Sequence, residues 1–73
     1  MKIRLEGGQL IEAEDKREVV EVMAKMAGEE PIEKYMKGVA HRCKIWNRDV
    51  IQYTDVETFF DEMVRTGVIV EVM

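Results

Sequence analysis

The chain has 73 residues, of which 47% are apolar and 36% are charged, and its formal net charge is −4. This composition predicts one small folded domain over residues 1–73 and excludes a disordered chain. Serine is absent and there is only one histidine and one cysteine, so the groups that catalytic sites combine are scarce. We therefore predict no enzymatic activity, no small-molecule substrate, no cofactor and no metal site.

The first residues, MKIRLEGGQ, lack the apolar segment of a signal peptide. No apolar run approaches the roughly 20 residues that a helix needs to span a bilayer. The single cysteine has no partner within the chain for a disulfide, as is usual in reducing compartments. We expect a cytoplasmic protein that does not contact a membrane.

Residues 2–6 and 10–14 alternate between polar and apolar side chains around Gly7 and Gly8, which predicts a β-hairpin. A two-residue turn at Gly7-Gly8 would mix polar and apolar residues on both faces. A three-residue loop, Gly7-Gly8-Gln9, places the apolar residues on one face, and we choose it. The predicted pairs are Leu5–Ile11, Ile3–Ala13, Lys2–Glu14 and Arg4–Glu12, with Leu10 facing outward.

Asp15 and Glu18 have the spacing of a capping box, which predicts the start of a first helix that Gly28 ends. Glu21 and Lys25 are spaced for an ion pair on its exposed side. The predicted buried face contains Val19, Val20, Met23, Met26 and Ala27.

Pro31 predicts the first turn of a second helix, which should run over residues 32–46 and end near Asn47. Ile45 lies off its apolar side. Residues 48–53 are ambiguous, and Val50 and Ile51 allow a short extended segment beneath the core. The predicted buried side of this helix contains Ile32, Tyr35, Met36, Val39, Ala40, Cys43 and Trp46.

Thr54 and Glu57 predict the capping box of a third helix, which Gly67 ends. Residues 68–72 predict a final strand in which Ile69 points away from its valine neighbours and toward solvent. The predicted fold is a two-layer α+β domain of order β-β-α-α-α-β, with a three-stranded sheet whose first strand is central. The third helix should bury Val56, Phe59, Phe60 and Met63.

Positive charge is concentrated in the middle of the chain. Residues 31–50 carry five basic and two acidic residues, a net charge of +3, whereas residues 1–30 carry −3 and residues 51–73 carry −4. Five side chains recur at intervals of three and four and fall within an arc of roughly 80° on the second helix. We call them the basic stripe and predict that they bind a partner: Lys34, Lys37, His41, Lys44 and Arg48.

His41 and Cys43 are two residues apart, so on a helix they point about 160° away from each other. They are therefore not expected to form a nucleophile–base pair, and we predict that Cys43 is buried. His41 is predicted to be a surface residue of the basic stripe.

These patterns predict a non-catalytic protein-interaction module that uses the basic stripe and an exposed sheet edge. Its partner would be another protein or a second copy, and the segregated charge fits a homodimer. A solvated helix face without function is the plainest alternative. Nucleic-acid binding through the same helix is another, although the acidic total disfavours it. The segments EVVEVM, YMKGVAHR and TFFDEMVRTGVIVEV resemble small proteins of bacteria and their mobile elements, without a motif that points to a named family. Small size and acidity fit a small inhibitor protein of a mobile element as a further alternative.

Overall fold

The computed structural model describes all 73 residues and confirms the predicted order of elements. The strands form one antiparallel sheet of order β2-β1-β3, so the first strand is central, as predicted. Residues 48–53 form no strand. The elements are β1 (Lys2–Leu5), β2 (Leu10–Glu12), α1 (Lys16–Met26), α2 (Ile32–Trp46), α3 (Val56–Arg65) and β3 (Ile69–Val72).

One core of 17 apolar residues joins the inner face of the sheet to all three helices. The rings of Tyr35 on α2 and Phe59 on α3 meet edge to face, with centroids 6.1 Å apart. No polar or charged residue is buried. The largest fully buried side chains are Phe59, Ile3, Met63, Ile69, Val19 and Val20.

The hairpin closes through a three-residue loop, but the loop is Glu6-Gly7-Gly8 and not Gly7-Gly8-Gln9. The Leu5 carbonyl accepts from the Gly8 N–H, and the Leu5 N–H donates to the Gln9 carbonyl, both at 2.9 Å. Gly8 has a φ of 90°, the left-handed conformation that such a loop needs at its last position. The predicted register is therefore wrong by two residues. The observed pairs are Lys2–Glu12, Ile3–Ile11 and Arg4–Leu10, in place of Lys2–Glu14, Ile3–Ala13, Arg4–Glu12 and Leu5–Ile11.

A shift of two residues preserves the faces of the strands, because side chains alternate with a period of two. Ile3, Ile11 and Ala13 are accordingly buried, and Leu10 is exposed, as predicted. Arg4 forms its ion pair across the other side of β1, with Glu71 of β3 at 3.1 Å, and not with Glu12.

The prediction for β3 is wrong at Ile69, which is buried at 2% exposure, whereas Val70 is 51% exposed. The cause is a β-bulge. Arg4 lies opposite Glu71 but Leu5 lies opposite Ile69, so Val70 has no partner residue on β1. Such an extra residue reverses the alternation of side chains on one side of the bulge, which turns Ile69 into the core.

The start of α1 is confirmed, since the Asp15 carboxylate accepts from the Glu18 N–H at 2.8 Å. The start of α3 differs by one residue from the prediction. Asp55, and not Thr54, is the cap, and its carboxylate accepts from the Thr58 N–H at 2.7 Å. That hydrogen bond is the largest cause that lowers the pKa of the Asp55 carboxyl.

Three predicted core positions on the helices are exposed: Met26, Ala27 and Trp46. Each lies at the C-terminal end of its helix, where no neighbouring element covers it. On α1 the buried face includes Ala24 instead. The predicted Glu21–Lys25 pair is also wrong, because Glu21 pairs with Arg17 at 3.1 Å one turn earlier.

Candidate functional site

Four members of the basic stripe lie on the outer side of α2 and form a single row: Lys34, Lys37, His41 and Lys44. The prediction is wrong at Arg48, because α2 ends at Trp46 and Arg48 adopts a left-handed φ of 58° beyond it. All five side chains are exposed. The opposite side of α2 packs into the core through Tyr35, Met36, Val39, Ala40 and Cys43.

None of the stripe residues forms an ion pair within the chain, so their charge is free to attract an anionic partner. The chain contains four ion pairs, and all of them involve other residues: Arg4–Glu71, Lys16–Asp61, Arg17–Glu21 and Arg65–Glu62.

Three members of the basic stripe border a groove of about 260 Å³, which we call the stripe groove. Lys34 and Arg48 lie outside it. Its apolar part is formed by Ala40 of α2 and by residues 50–53, which follow the helix. The lining residues are Lys37, Ala40, His41, Lys44, Val50, Ile51 and Tyr53.

The second wall of the groove exists because the chain turns back sharply after α2. The N–H groups of Asn47 and Asp49 both donate to the Cys43 carbonyl, at 2.9 and 3.2 Å. Between them, Arg48 adopts a φ of 58°, a left-handed conformation that is uncommon for a residue with a side chain. Ile51 is then buried in the core, which anchors the returning segment beside α2.

Two side chains of α3 hold this segment by its backbone, and we call them the α3 clamp. The Glu62 carboxylate accepts from the Gln52 N–H at 3.1 Å, and the Arg65 guanidinium donates to the Val50 carbonyl at 3.3 Å. Glu62 and Arg65 also form an ion pair with each other. The side chain of Glu62 is only 14% exposed, whereas that of Arg65 is 52% exposed, so the carboxylate is the covered half of the clamp.

The α3 clamp makes the returning segment sensitive to acid. The ion pair with Arg65, followed by the hydrogen bond from Gln52, holds the pKa of Glu62 below its usual value of 4.5. A carboxyl group with a lowered pKa stabilises the folded state above its unfolded pKa, and this contribution is lost as the pH falls through the folded pKa. We expect the Gln52 amide proton resonance to titrate with a midpoint below pH 4.5, as measured by two-dimensional NMR.

In Glu62→Gln this titration should disappear, since the side-chain amide keeps an acceptor for Gln52 but no longer ionises. Glu57→Gln is the matched control, because Glu57 is an exposed residue of the same helix that forms no ion pair. A midpoint at or above 4.5, or an unchanged titration in Glu62→Gln, would contradict the clamp.

The exposed sheet edge of the prediction is a separate surface. The outer strands are β2 and β3, and no strand residue lines the stripe groove. Lys2 and Met73 exchange both backbone hydrogen bonds, so the next pair, Ile3 and Val72, is of the non-bonded kind. The N–H and C=O groups of Val72 therefore point to the open edge, beside exposed Val70.

The side chains that could take part in catalysis or metal binding do not come together in one site. Cys43 is buried, and burial, reinforced by Asp49, raises the pKa of its thiol. His41 is exposed on the other side of α2. No three side chains among the histidine, cysteine, aspartate and glutamate residues are arranged to hold a metal ion. None of the helices has the combined length and apolarity required to cross a membrane.

Sequence reasoning did not identify the far wall of the groove or the clamp. Val50 and Ile51 form an apolar pair within a polar segment, and this was the available signal for a returning, partly buried loop. No sequence pattern pointed to Glu62 and Arg65, because their targets are backbone atoms 10 and 15 residues away. Searches of protein-family models, curated proteins and solved structures found nothing that matches this chain.

Proposed function

We propose that the chain is a non-catalytic protein-interaction module that binds an acidic segment of a partner protein in the stripe groove. The observation that carries the proposal is the composition of the groove. Lys37, His41 and Lys44 lie along one side of an apolar surface whose exposed side chains are Val50 and Tyr53. This arrangement fits a peptide segment in which acidic residues come before and after one apolar residue in the sequence.

Binding would proceed in two physical steps. The unpaired cations of the basic stripe attract an acidic segment and raise its rate of encounter, even though the whole chain is acidic. The apolar side chain of the segment then displaces water from the groove between α2 and residues 50–53. The second step selects among acidic segments, because a segment without an apolar residue gains only the screened attraction. The lone, buried Cys43 supports action in the reducing cytoplasm.

The test uses a synthetic peptide with acidic residues on both sides of one leucine, and a second peptide in which serine replaces the leucine. We expect the leucine peptide to bind more tightly in calorimetry and to shift the NMR signals of His41, Lys44 and Tyr53. Lys37→Glu/Lys44→Glu should weaken binding at least about tenfold, since two attractive charges become repulsive.

Lys2→Glu/Lys25→Glu is the matched control, because it makes the same charge change at exposed, unpaired positions outside the groove. Equal losses in the two double variants would show general charge attraction and contradict the proposal. A single-stranded oligonucleotide provides the second arm. If it binds at low salt, more tightly than the peptide, and Lys37→Glu/Lys44→Glu abolishes that binding, the nucleic-acid alternative replaces the proposed function.

A further inference from the structure

A second apolar surface lies on a different flank of α2. Trp46 is 79% exposed, the highest value among the large apolar residues. At about 100° per residue, Tyr35, Arg42 and Trp46 fall within roughly 40° of one another. They therefore form one flank of α2, turned away from the basic stripe. An exposed tryptophan of this kind is typical of an interface anchor.

The same flank borders an open cleft of about 390 Å³, which we call the methionine cleft. It lies between the hairpin loop, the end of α1 and the start of α2. An apolar cavity of about 150 Å³ is large enough for benzene, so the cleft has room for an indole ring. Methionine side chains adapt readily to the shape of an aromatic ring. The lining includes Leu5, Glu6, Met23, Met26, Tyr35 and Val68.

Charges of both signs surround the anchor and the cleft. Arg42 lies on the same flank of α2 as Tyr35, and Glu30 lies two residues before the helix begins. Burial raises the pKa of the Tyr35 hydroxyl, which Arg42 lowers and Glu30 raises further. Glu6 lines the cleft itself. Arg42, Glu6 and Glu30 form no ion pair within the chain. One flank thus carries an apolar anchor with a free cation, Arg42, and an apolar cleft with a free anion, Glu6.

We infer that this flank is a two-fold interface, in which Trp46 of each copy inserts into the methionine cleft of a second copy. A two-fold contact uses the same patch on both copies. This patch carries both the anchor, Trp46, and the cleft that would receive it. Arg42, one turn before Trp46 on α2, is then brought toward the Glu6 carboxylate of the second copy. The interface lies outside the stripe groove, so the dimer leaves the groove open to a partner.

The first test is direct, because Trp46 is the only tryptophan of the chain. We expect its fluorescence emission to move to shorter wavelengths as protein concentration rises, together with a change from one chain to two in sedimentation. Trp46→Ala should weaken the dimer at least about 30-fold, as for the loss of an interface hot spot. Its fold should persist, since the side chain makes little contact within the chain. Ile45→Ala is the matched control, as an exposed apolar residue of α2 on another flank.

A charge exchange provides the second test. Glu6→Arg and Arg42→Glu should each weaken the dimer by about tenfold, because each places like charges across the interface. The double variant should restore dimerisation, since the attraction is re-formed with opposite signs. A single-chain mass at all concentrations would overturn the interface. So would an undiminished dimer in Trp46→Ala, or a double variant weaker than both single variants. Peptide binding by Trp46→Ala tests the proposed function independently.

Discussion

Phe59→Ala is expected to lower the free energy of unfolding by about 3–5 kcal/mol, measured by urea denaturation followed by circular dichroism. Phe59 is fully buried at 0% exposure, and its ring meets Tyr35 edge to face. The change removes most of a large side chain and leaves a cavity where α2 and α3 meet. A domain of this size has a total stability of roughly 4–11 kcal/mol, so a large share would be lost.

The matched control is Val64→Ala on the same helix, because Val64 is exposed. We expect it to change the free energy of unfolding by less than about 1 kcal/mol. Phe59→Leu should recover part of the loss, since it refills part of the cavity. A loss below about 1 kcal/mol for Phe59→Ala would show that α3 does not pack as described.

Ile69→Ala is expected to destabilise the protein by about 3 kcal/mol, whereas Val70→Ala should cost less than about 1 kcal/mol. Ile69 is buried and Val70 is exposed, because the bulge in β3 reverses the alternation of side chains. A regular strand without the bulge would make Val70→Ala the more destabilising change, since Val70 would then face the core. Urea denaturation of the two variants distinguishes the arrangements, and a larger loss for Val70→Ala would contradict the bulge.

The element types and their order followed from the sequence because local signals agreed with the fold. Asp15 caps α1, and helical spacing placed Met36 and Val39 in the core of α2. The inward face of the hairpin was also predictable, since any register that buries Ile3 and Ile11 differs from the observed one by an even number of residues.

The wrong predictions arise where a non-local or backbone effect decides the outcome. The hairpin register depends on the left-handed residue of the loop, and Gly8 occupies that position. The burial of Ile69 depends on a bulge that only pairing with β1 reveals. Trp46 has apolar spacing within α2, yet nothing beyond the last turn of the helix covers it.

The candidate site was predictable in its charged half only. A row of basic residues on one side of a helix follows from spacing, and Lys37, His41 and Lys44, which border the groove, are all in the basic stripe. The apolar half depends on the turn at Arg48 and on the α3 clamp. Both are interactions between residues that sequence periodicity does not connect.

The central position of β1 has a consequence for how this protein is made. Ile3 pairs with Val72, so one side of β1 is without its neighbour until residues 69–72 have also left the ribosome. The hairpin needs only local contacts and forms early, whereas closure of the sheet brings together distant residues and is slow. Until β3 is available, the free side of β1 is therefore an unpaired strand edge, which is open to wrong pairing.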